Sequence, residues 1–248
     1  MEQIAGASPR QLARIAGGLY LVNIVLGAFA IGFVPAMLLV SGDAAATAHN
    51  IQANVLLYRS GLVAHMIVVA TNIPMAVIFY DLFKVVNRRL ALVVVFSSLV
   101  GTAIESANLL NQYAPLVFLN GGRDSSALTA EQLQALAYTP AVLQTISYDF
   151  SSVFFGLYGL AIGYLVFRST FLPRVIGALL AIGALCYLTF SFADILSPAF
   201  AAHLVPYIQL PSLVGEGSFG VWLLVAGVNL PRWKERACTT TSRLEWAQ

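Results

Sequence analysis

Three polar side chains interrupt an otherwise apolar stretch at the spacing of one helix face. Residues 90–119 begin with LALVVVFSSLVGTAI and then carry Glu105, Asn108 and Gln112. These positions are i, i+3 and i+7, so a helix brings them onto one face. An ionisable group within a membrane span usually faces a bundle interior or a water-filled cavity, where it serves ions, protons or substrates. This stretch therefore predicts a helix with a polar inner face, and it marks where a functional site is expected without identifying a reaction or a cargo.

Other apolar stretches of the chain carry further side chains of this kind. They are His65, Tyr148, Asp149, Asp194 and Glu216. Together with Glu105 they provide four carboxyl groups and one imidazole, whereas no Lys or Arg lies well inside a predicted span. Several like charges in a low-dielectric interior do not all stay ionised. The pattern therefore indicates that some of these acids are protonated or that a cation completes the site.

The composition is typical of a membrane protein. Hydrophobic residues make up 59% of the 248 residues and charged residues 10%, and the mean hydropathy is +0.81. Soluble domains average about 25% charged residues. The net charge of +2 is small, and the basic residues sit at span ends rather than in one patch. The expected partner is therefore the lipid bilayer, and no nucleic acid is expected.

The hydrophobic runs predict an all-α, polytopic transmembrane helical bundle with six spans, because each crossing needs about 20 apolar residues. We expect the spans at about 12–40, 61–85, 90–119, 140–167, 173–196 and 204–229, within one transmembrane domain of residues 12–230. Residues 1–11 are expected to form a cytoplasmic N-terminal segment, and residues 231–248 a cytoplasmic polar tail.

Proline and glycine predict local features of these spans. Pro74 predicts a kink in the second span because it removes one backbone donor. Thr139 and Pro140 are expected to be the N-cap and first turn of the fourth span. Gly159 and Gly163 form a GxxxG motif that permits close helix contact. The sixth span is rich in Pro and Gly in its first half, where we expect a bend or a break.

The distribution of basic residues predicts the orientation in the membrane. With six spans and a cytoplasmic N-terminus, 11 of the 13 Lys and Arg residues fall in cytoplasmic segments. Only Arg59 and Arg123 fall on the opposite side. This asymmetry is what the positive-inside rule describes. Both termini are therefore expected to be cytoplasmic.

The same orientation gives a depth for each ionisable side chain. Counting along the predicted spans places His65, Glu105, Asp149, Asp194 and Glu216 in the outer half of the membrane. If their helix faces converge, they line one acidic pocket that opens away from the cytoplasm. We therefore predict a transporter or a sensor that binds a small cationic or amphipathic ligand in this pocket.

Individual roles follow from the chemistry of each group. Glu105 and Asp149 are expected to hold the positive group of the ligand, and Glu216 to act as a proton-coupled partner. Tyr148 and His65 are expected to orient the ligand. The predicted ligand-binding set is Glu105, Asn108, Gln112, Tyr148, Asp149, His65, Asp194 and Glu216.

Two other classes of function stay open. An intramembrane enzyme acting on lipid would use Asp149 or Glu105 as general base and His65 as acid or metal ligand. The chain has no HExxH, GxSxG, Walker or GxGxxG motif and three histidines, so no metal site or cofactor is assigned. In a structural or partner protein, the polar side chains would only join helices, at about 1 kcal/mol for each interhelical hydrogen bond.

Several segments together resemble a family of small bacterial multi-pass membrane proteins known only as a domain of unknown function. They are ARIAGGLYLVNIVLGAF, YRSGL, DLFKVVNRRLAL, PRVIGALLAIGALCYL and GEGSFGVWLLVAGV, and their order and spacing span nearly the whole chain. The resemblance implies a six-span protein of the bacterial cytoplasmic (inner) membrane, in a family without an established activity. It implies no activity or cofactor, and Glu216 is its one matched acidic position inside a span.

Overall fold

The chain folds into α-helices joined by short connections. A computed structural model describes residues 8–120 and 128–245, with side chains described through residue 239. The helices are α1 (Pro9–Gly27), α2 (Val34–Leu38), α3 (Ala44–Ala53), α4 (Val55–Phe83), α5 (Arg88–Leu119), α6 (Ala130–Arg168), α7 (Arg174–Leu196), α8 (Pro198–Leu204), α9 (Leu210–Val225) and α10 (Leu230–Glu245). Residues 1–7 of the predicted N-terminal segment, Arg123 of the predicted outer loop and residues 246–248 of the tail lie outside this description.

Six segments of the described chain are long and apolar enough to cross a membrane. They are Pro9–Leu38, Val55–Phe83, Arg88–Leu119, Ala130–Arg168, Arg174–Leu196 and Tyr207–Val225. Their most hydrophobic windows have a mean hydropathy between 1.3 and 2.2. The predicted fold class, an all-α bundle with six spans, is confirmed, and the protein is a multi-pass integral membrane protein. The cytoplasmic placement of both termini stays a prediction.

The first span is not a uniform helix. A π-helical segment, Ala28–Phe33, separates α1 from α2, and Pro35 lies in the first turn of α2. Proline provides no backbone N–H for the i−4 carbonyl, and the wider π turn takes up the resulting misfit. After α2, the side chain of Asp43 accepts a hydrogen bond of 2.8 Å from the backbone N–H of Ala46 and caps α3.

The fourth span begins earlier than its proline suggests. Thr129 and Gln132 form a capping box, with hydrogen bonds of 2.8 and 3.3 Å between each side chain and the other residue's backbone N–H. The helix then continues through Pro140 to Arg168. The predicted N-cap at Thr139 is therefore wrong, because its hydroxyl donates back to the carbonyl of Ala135 at 3.1 Å inside the helix.

The break expected in the first half of the sixth predicted span is present. Helix α8 ends at Leu204, and a short 3₁₀ turn, Tyr207–Gln209, leads into α9. Two prolines in this stretch remove backbone donors that a continuous helix would need.

Contacts along the chain divide it into two units. The first unit consists of Met1–Val22, Thr71–Gly101 and Ser152–Gln248, and the second of Asn23–Ala70 and Thr102–Ser151. The boundaries between them fall inside α1, α4, α5 and α6. Each of these long helices therefore contributes residues to both units.

The first unit is held by close backbone contacts and by aromatic packing. A Cβ at Gly163 would lie 2.9 Å from the carbonyl oxygen of Gly177, so α6 and α7 approach as the GxxxG motif predicts. The rings of Tyr20, Phe79 and Phe219 are nearly fully buried, with centroids 5.6 to 6.1 Å apart. Lipid tails are as apolar as these side chains, so this packing supplies stability through van der Waals contact.

The second unit has a smaller apolar core beside a set of buried polar groups. Its buried apolar residues are Val34, Leu38, Ile51, Tyr58 and Leu116. They bring α2, α3, α4 and α5 together. This packing fixes the α4 and α5 segments that carry the polar residues described next.

Candidate functional site

A cluster of buried polar side chains, hereafter the polar core, lies in the second unit. Its members are His65 on α4, Glu105, Asn108 and Gln112 on α5, and Ser151 on α6. Each has at most 3% of its surface exposed. The structure therefore brings together four of the eight predicted ligand-binding residues and adds one serine.

The amide of Gln112 sets the proton position on the His65 ring. The Oε1 atom of Gln112 lies 2.9 Å from Nδ1 of His65. Because an amide oxygen only accepts hydrogen bonds, Nδ1 must be the donor. The ring therefore carries its first proton on Nδ1, and Nε2 is left to face the carboxyl group of Glu105.

His65 and Glu105 form a buried pair whose attraction requires one more proton. Nε2 of His65 lies 3.0 Å from Oε2 of Glu105, although the two groups are not aligned as a hydrogen bond. With Nδ1 already protonated, a neutral ring would present a lone pair to a carboxylate oxygen at this distance, and the two would repel. A proton on Nε2 or on the carboxyl group makes the contact attractive and the pair neutral.

Ser151 connects the second oxygen of Glu105 to α6. Its hydroxyl oxygen makes a very short contact with Oε1 of Glu105 and lies 2.8 Å from the carbonyl oxygen of Tyr148. A hydroxyl has one hydrogen to donate, so the carboxylate and this carbonyl compete for it. When Glu105 is itself protonated on Oε1, it donates to Ser151, which then donates to Tyr148. The serine therefore tolerates both protonation states of the acid.

Asn108 holds α5 against α6 next to the pair. Its Nδ2 donates to the carbonyl oxygen of Gln144 at 3.0 Å and lies 3.5 Å from Oε2 of Glu105. Its Oδ1 accepts from Nδ2 of Asn111 at 3.3 Å. These bonds use both sides of the amide, so Asn108 positions the carboxyl group and is not itself free for a ligand.

Tyr58 and Pro115 shape the end of the polar core. The hydroxyl of Tyr58 donates to the backbone carbonyl of Gln112 at 2.6 Å. Pro115 lies one turn further along α5 and weakens the helix ladder there. The bond from Tyr58 therefore fixes the backbone that carries Gln112. One turn before Glu105, the hydroxyl of Thr102 is buried without a hydrogen-bond partner in the described residues.

The other four predicted site residues divide between the two units. Tyr148 is half-buried and Asp149 is 6% exposed, and both lie on α6 in the second unit. Asp194 and Glu216 belong to the first unit, and both are half-buried. The structure thus places the eight predicted residues in two sets, one in each unit.

Glu216 has aromatic neighbours within the first unit. Tyr20 and Tyr158 are hydrogen-bonded to each other through their side chains, and Glu216 lies close enough for its charge to act on both. Among the described residues, its carboxyl group has no hydrogen-bond or salt-bridge partner. Glu216 is therefore a carboxyl group that the surrounding side chains leave available.

A family model covers most of this chain. The family described as "Domain of unknown function (DUF4386)" matches residues 15–227. The chain belongs to the DUF4386 family. No curated protein and no solved structure matches it. The whole polar core lies within the residues that the DUF4386 family model matches.

Sequence reasoning about this DUF4386 chain missed Ser151, a member of the polar core, and Gln144, whose backbone carbonyl accepts a hydrogen bond from Asn108. Gln144, Tyr148 and Ser151 are at i, i+4 and i+7, so they share the face of α6 that meets α5. Asp149 drew attention because it is charged, yet it lies one position off this face. The helical spacing of Gln144, Tyr148 and Ser151, rather than the charge of Asp149, indicates which face of α6 contacts α5.

The arrangement differs from that of a serine hydrolase. In a Ser–His–acid triad the serine hydroxyl donates to the imidazole, which the acid orients. Here Ser151 contacts the carboxyl group of Glu105, and the imidazole of His65 contacts the other oxygen of the same acid. The described residues contain no group of three or more His, Cys, Asp or Glu side chains placed to hold a metal ion. What the core does have is a buried imidazole 3.0 Å from a buried carboxyl group.

Proposed function

We propose that this protein is a proton-coupled transporter or sensor of the bacterial cytoplasmic membrane that binds a small cationic or amphipathic ligand. The observation that carries the proposal is the buried contact of 3.0 Å between His65 and Glu105, with Nδ1 of His65 already committed to Gln112. This pair is neutral when it holds its shared proton and carries a net negative charge when it does not.

The cost of that negative charge supplies the coupling. In the described residues, His65 is the one basic group paired with Glu105. A buried charge without a partner costs several kcal/mol. Loss of the proton is therefore favourable only when another positive charge arrives. Binding of a cation and release of the proton are then two halves of one exchange.

The ligand needs a positive group and an apolar part under this proposal. Glu216, inside the sixth candidate span, is a carboxyl group with no hydrogen-bond or salt-bridge partner among the described residues. Glu216 lies near the rings of Tyr20 and Tyr158, and aromatic faces attract cations. Together these features favour an organic ammonium or a lipophilic cation as cargo or signal.

Proton release on cation binding tests the proposal. Tetraphenylphosphonium is a suitable probe because it is a lipophilic cation that carries no exchangeable proton. We expect the purified protein, in weakly buffered detergent with a pH-indicator dye, to release about one proton for each cation bound, as linkage between the two sites requires. Calorimetry on the same samples measures the binding itself.

Two matched substitutions compare proton release with and without the carboxyl group of the polar core. Glu105→Gln keeps the shape of the side chain and removes the proton store, so we expect proton release to be abolished. Glu131→Gln makes the same chemical change on an exposed residue of α6 and should release protons like the wild type. Proton release that persists in Glu105→Gln, or the absence of both binding and release in the wild type, would contradict the proposal.

A further inference from the structure

A cavity in the first unit lies at the ends of the first and sixth spans. Its volume is about 380 Å³, and it is lined mainly by Arg10, Phe171, Trp222, Gly227, Asn229 and Pro231. Arg10 stands at the start of the first candidate span, and Trp222 near the end of the sixth. Arginine and tryptophan at span ends occupy the level of lipid headgroups.

The backbone around the cavity is built so that Arg10 lies against it. Gly227 has φ of +67°, a conformation that side chains rarely adopt. A Cβ at this position would lie 3.0 Å from Cγ of Arg10. The glycine therefore lets the stem of Arg10 pass directly over the chain that follows α9. The peptide of Asn229 is fixed on the other side, where its N–H donates to the carbonyl of Phe171 at 3.2 Å.

The neighbouring arginines are already engaged, and Arg10 is not. Arg14, one helical turn further along α1, donates to the carbonyl of Val225 at 3.1 Å. Arg232 donates to the carbonyl of Thr170 at 3.2 Å. Within the described residues, the guanidinium of Arg10 has no hydrogen-bond or salt-bridge partner, and no acidic side chain lines the cavity. The cavity thus contains one guanidinium group, unpaired among the described residues, next to aromatic and apolar side chains.

We infer that this cavity binds the phosphate group of an anionic phospholipid, with Arg10 as its principal ligand. A guanidinium matches the oxygens of a phosphate in a bidentate geometry. Phe171, Trp222 and Pro231 supply the apolar surface that the glycerol and upper acyl carbons need. The predicted orientation places this end of the bundle in the cytoplasmic leaflet, where anionic lipids give a negative surface potential. This site is independent of the polar core and of proton coupling.

Native mass spectrometry of the detergent-solubilised full chain with added phosphatidylglycerol tests this inference. We expect the wild type to retain bound phosphatidylglycerol, and Arg10→Gln to bind it about tenfold more weakly, since the variant loses the charged hydrogen-bond donors to the phosphate. Arg10→Lys keeps the positive charge but loses the bidentate guanidinium, so its affinity for phosphatidylglycerol should lie between those of the wild type and Arg10→Gln. Arg59→Gln removes the same charge from another exposed arginine, in the second unit, and should bind like the wild type.

The competing explanations give different results. Equal losses in Arg10→Gln and Arg59→Gln would show a general charge effect and overturn the inference, as would unchanged binding in Arg10→Gln. Millimolar inorganic phosphate at matched ionic strength should leave phosphatidylglycerol bound. Displacement by inorganic phosphate would mean a site for the free anion and would overturn the assignment to lipid.

Discussion

The two units treat an intramembrane glutamate in different ways. In the second unit, Glu105 is 3% exposed and contacts His65, Ser151 and Asn108. In the first unit, Glu216 is half-buried near tyrosine rings, with no hydrogen-bond or salt-bridge partner among the described residues. Hydrogen-bonding neighbours fix the position of a carboxyl group and the site of its proton. A carboxyl group without such neighbours can still bind a ligand. Burial of an acid therefore does not by itself tell its function.

Replacement of Glu105 by alanine should give the largest change in stability. We expect Glu105→Ala to lower the free energy of unfolding by about 3–5 kcal/mol, because it leaves His65, Ser151 and Asn108 buried with a lost partner. Thermal melting of the purified protein in one detergent measures this effect. A loss below about 1 kcal/mol would mean that the polar core adds little to stability.

The contact between His65 and Glu105 has its own expected energy. A double-mutant cycle with His65→Ala and Glu105→Ala should give a coupling of about 1–3 kcal/mol, as groups in direct contact do. A matched cycle pairs His65→Ala with Glu216→Ala, which belong to different units and are joined by no hydrogen bond or salt bridge among the described residues. Equal couplings in both cycles would contradict a specific pair.

Asn108 should affect stability by positioning the carboxyl group of Glu105, and it should not take part in proton release. Asn108→Ala removes one donor to the carbonyl of Gln144 and one weak contact with Glu105. We expect a loss of about 1–2 kcal/mol in stability, which is typical for a buried hydrogen bond. Proton release on cation binding should persist in this variant, although Glu105→Gln abolishes it. Loss of proton release in Asn108→Ala would place the amide inside the proton path.

Glu216 should give the smallest change in stability. Glu216→Gln replaces a carboxyl group that has no hydrogen-bond partner among the described residues, so we expect the free energy of unfolding to change by no more than about 0.5 kcal/mol in either direction. Binding of tetraphenylphosphonium should weaken in the same variant. A large loss of stability with unchanged binding would assign Glu216 a structural role and remove the contrast with Glu105.

Much of the fold follows from the sequence because lipid imposes simple rules. Hydrophobic length predicts the six spans, and the GxxxG motif predicts the approach of α6 to α7. Helix starts were harder to predict. Pro140 indicates a beginning, but a long helix tolerates one missing backbone bond, and the capping box at Thr129 fixes the true start. The helix α3 was missed, although Asp43 followed by alanines is a capping signal.

The candidate site was only partly predictable for a similar reason. The spacing of Glu105, Asn108 and Gln112 predicted one helix face, and that face meets His65. The rotation of α6 about its axis determines which of its residues complete the polar core. The charge of Asp149 suggested that residue, but Ser151 makes the contact with Glu105. Rotation is set by packing against neighbouring helices, which one sequence does not display.

The position of the proton on His65 tests the central claim most directly. His49 and His203 are exposed, so replacing both by asparagine leaves His65 as the one histidine to be read by ¹⁵N NMR. The account predicts a proton on Nδ1, with Nε2 either protonated as well or accepting from a protonated Glu105. A neutral ring protonated only on Nε2 would make Glu105 a permanent carboxylate with a permanent donor, and would contradict a proton that can be exchanged for a cation.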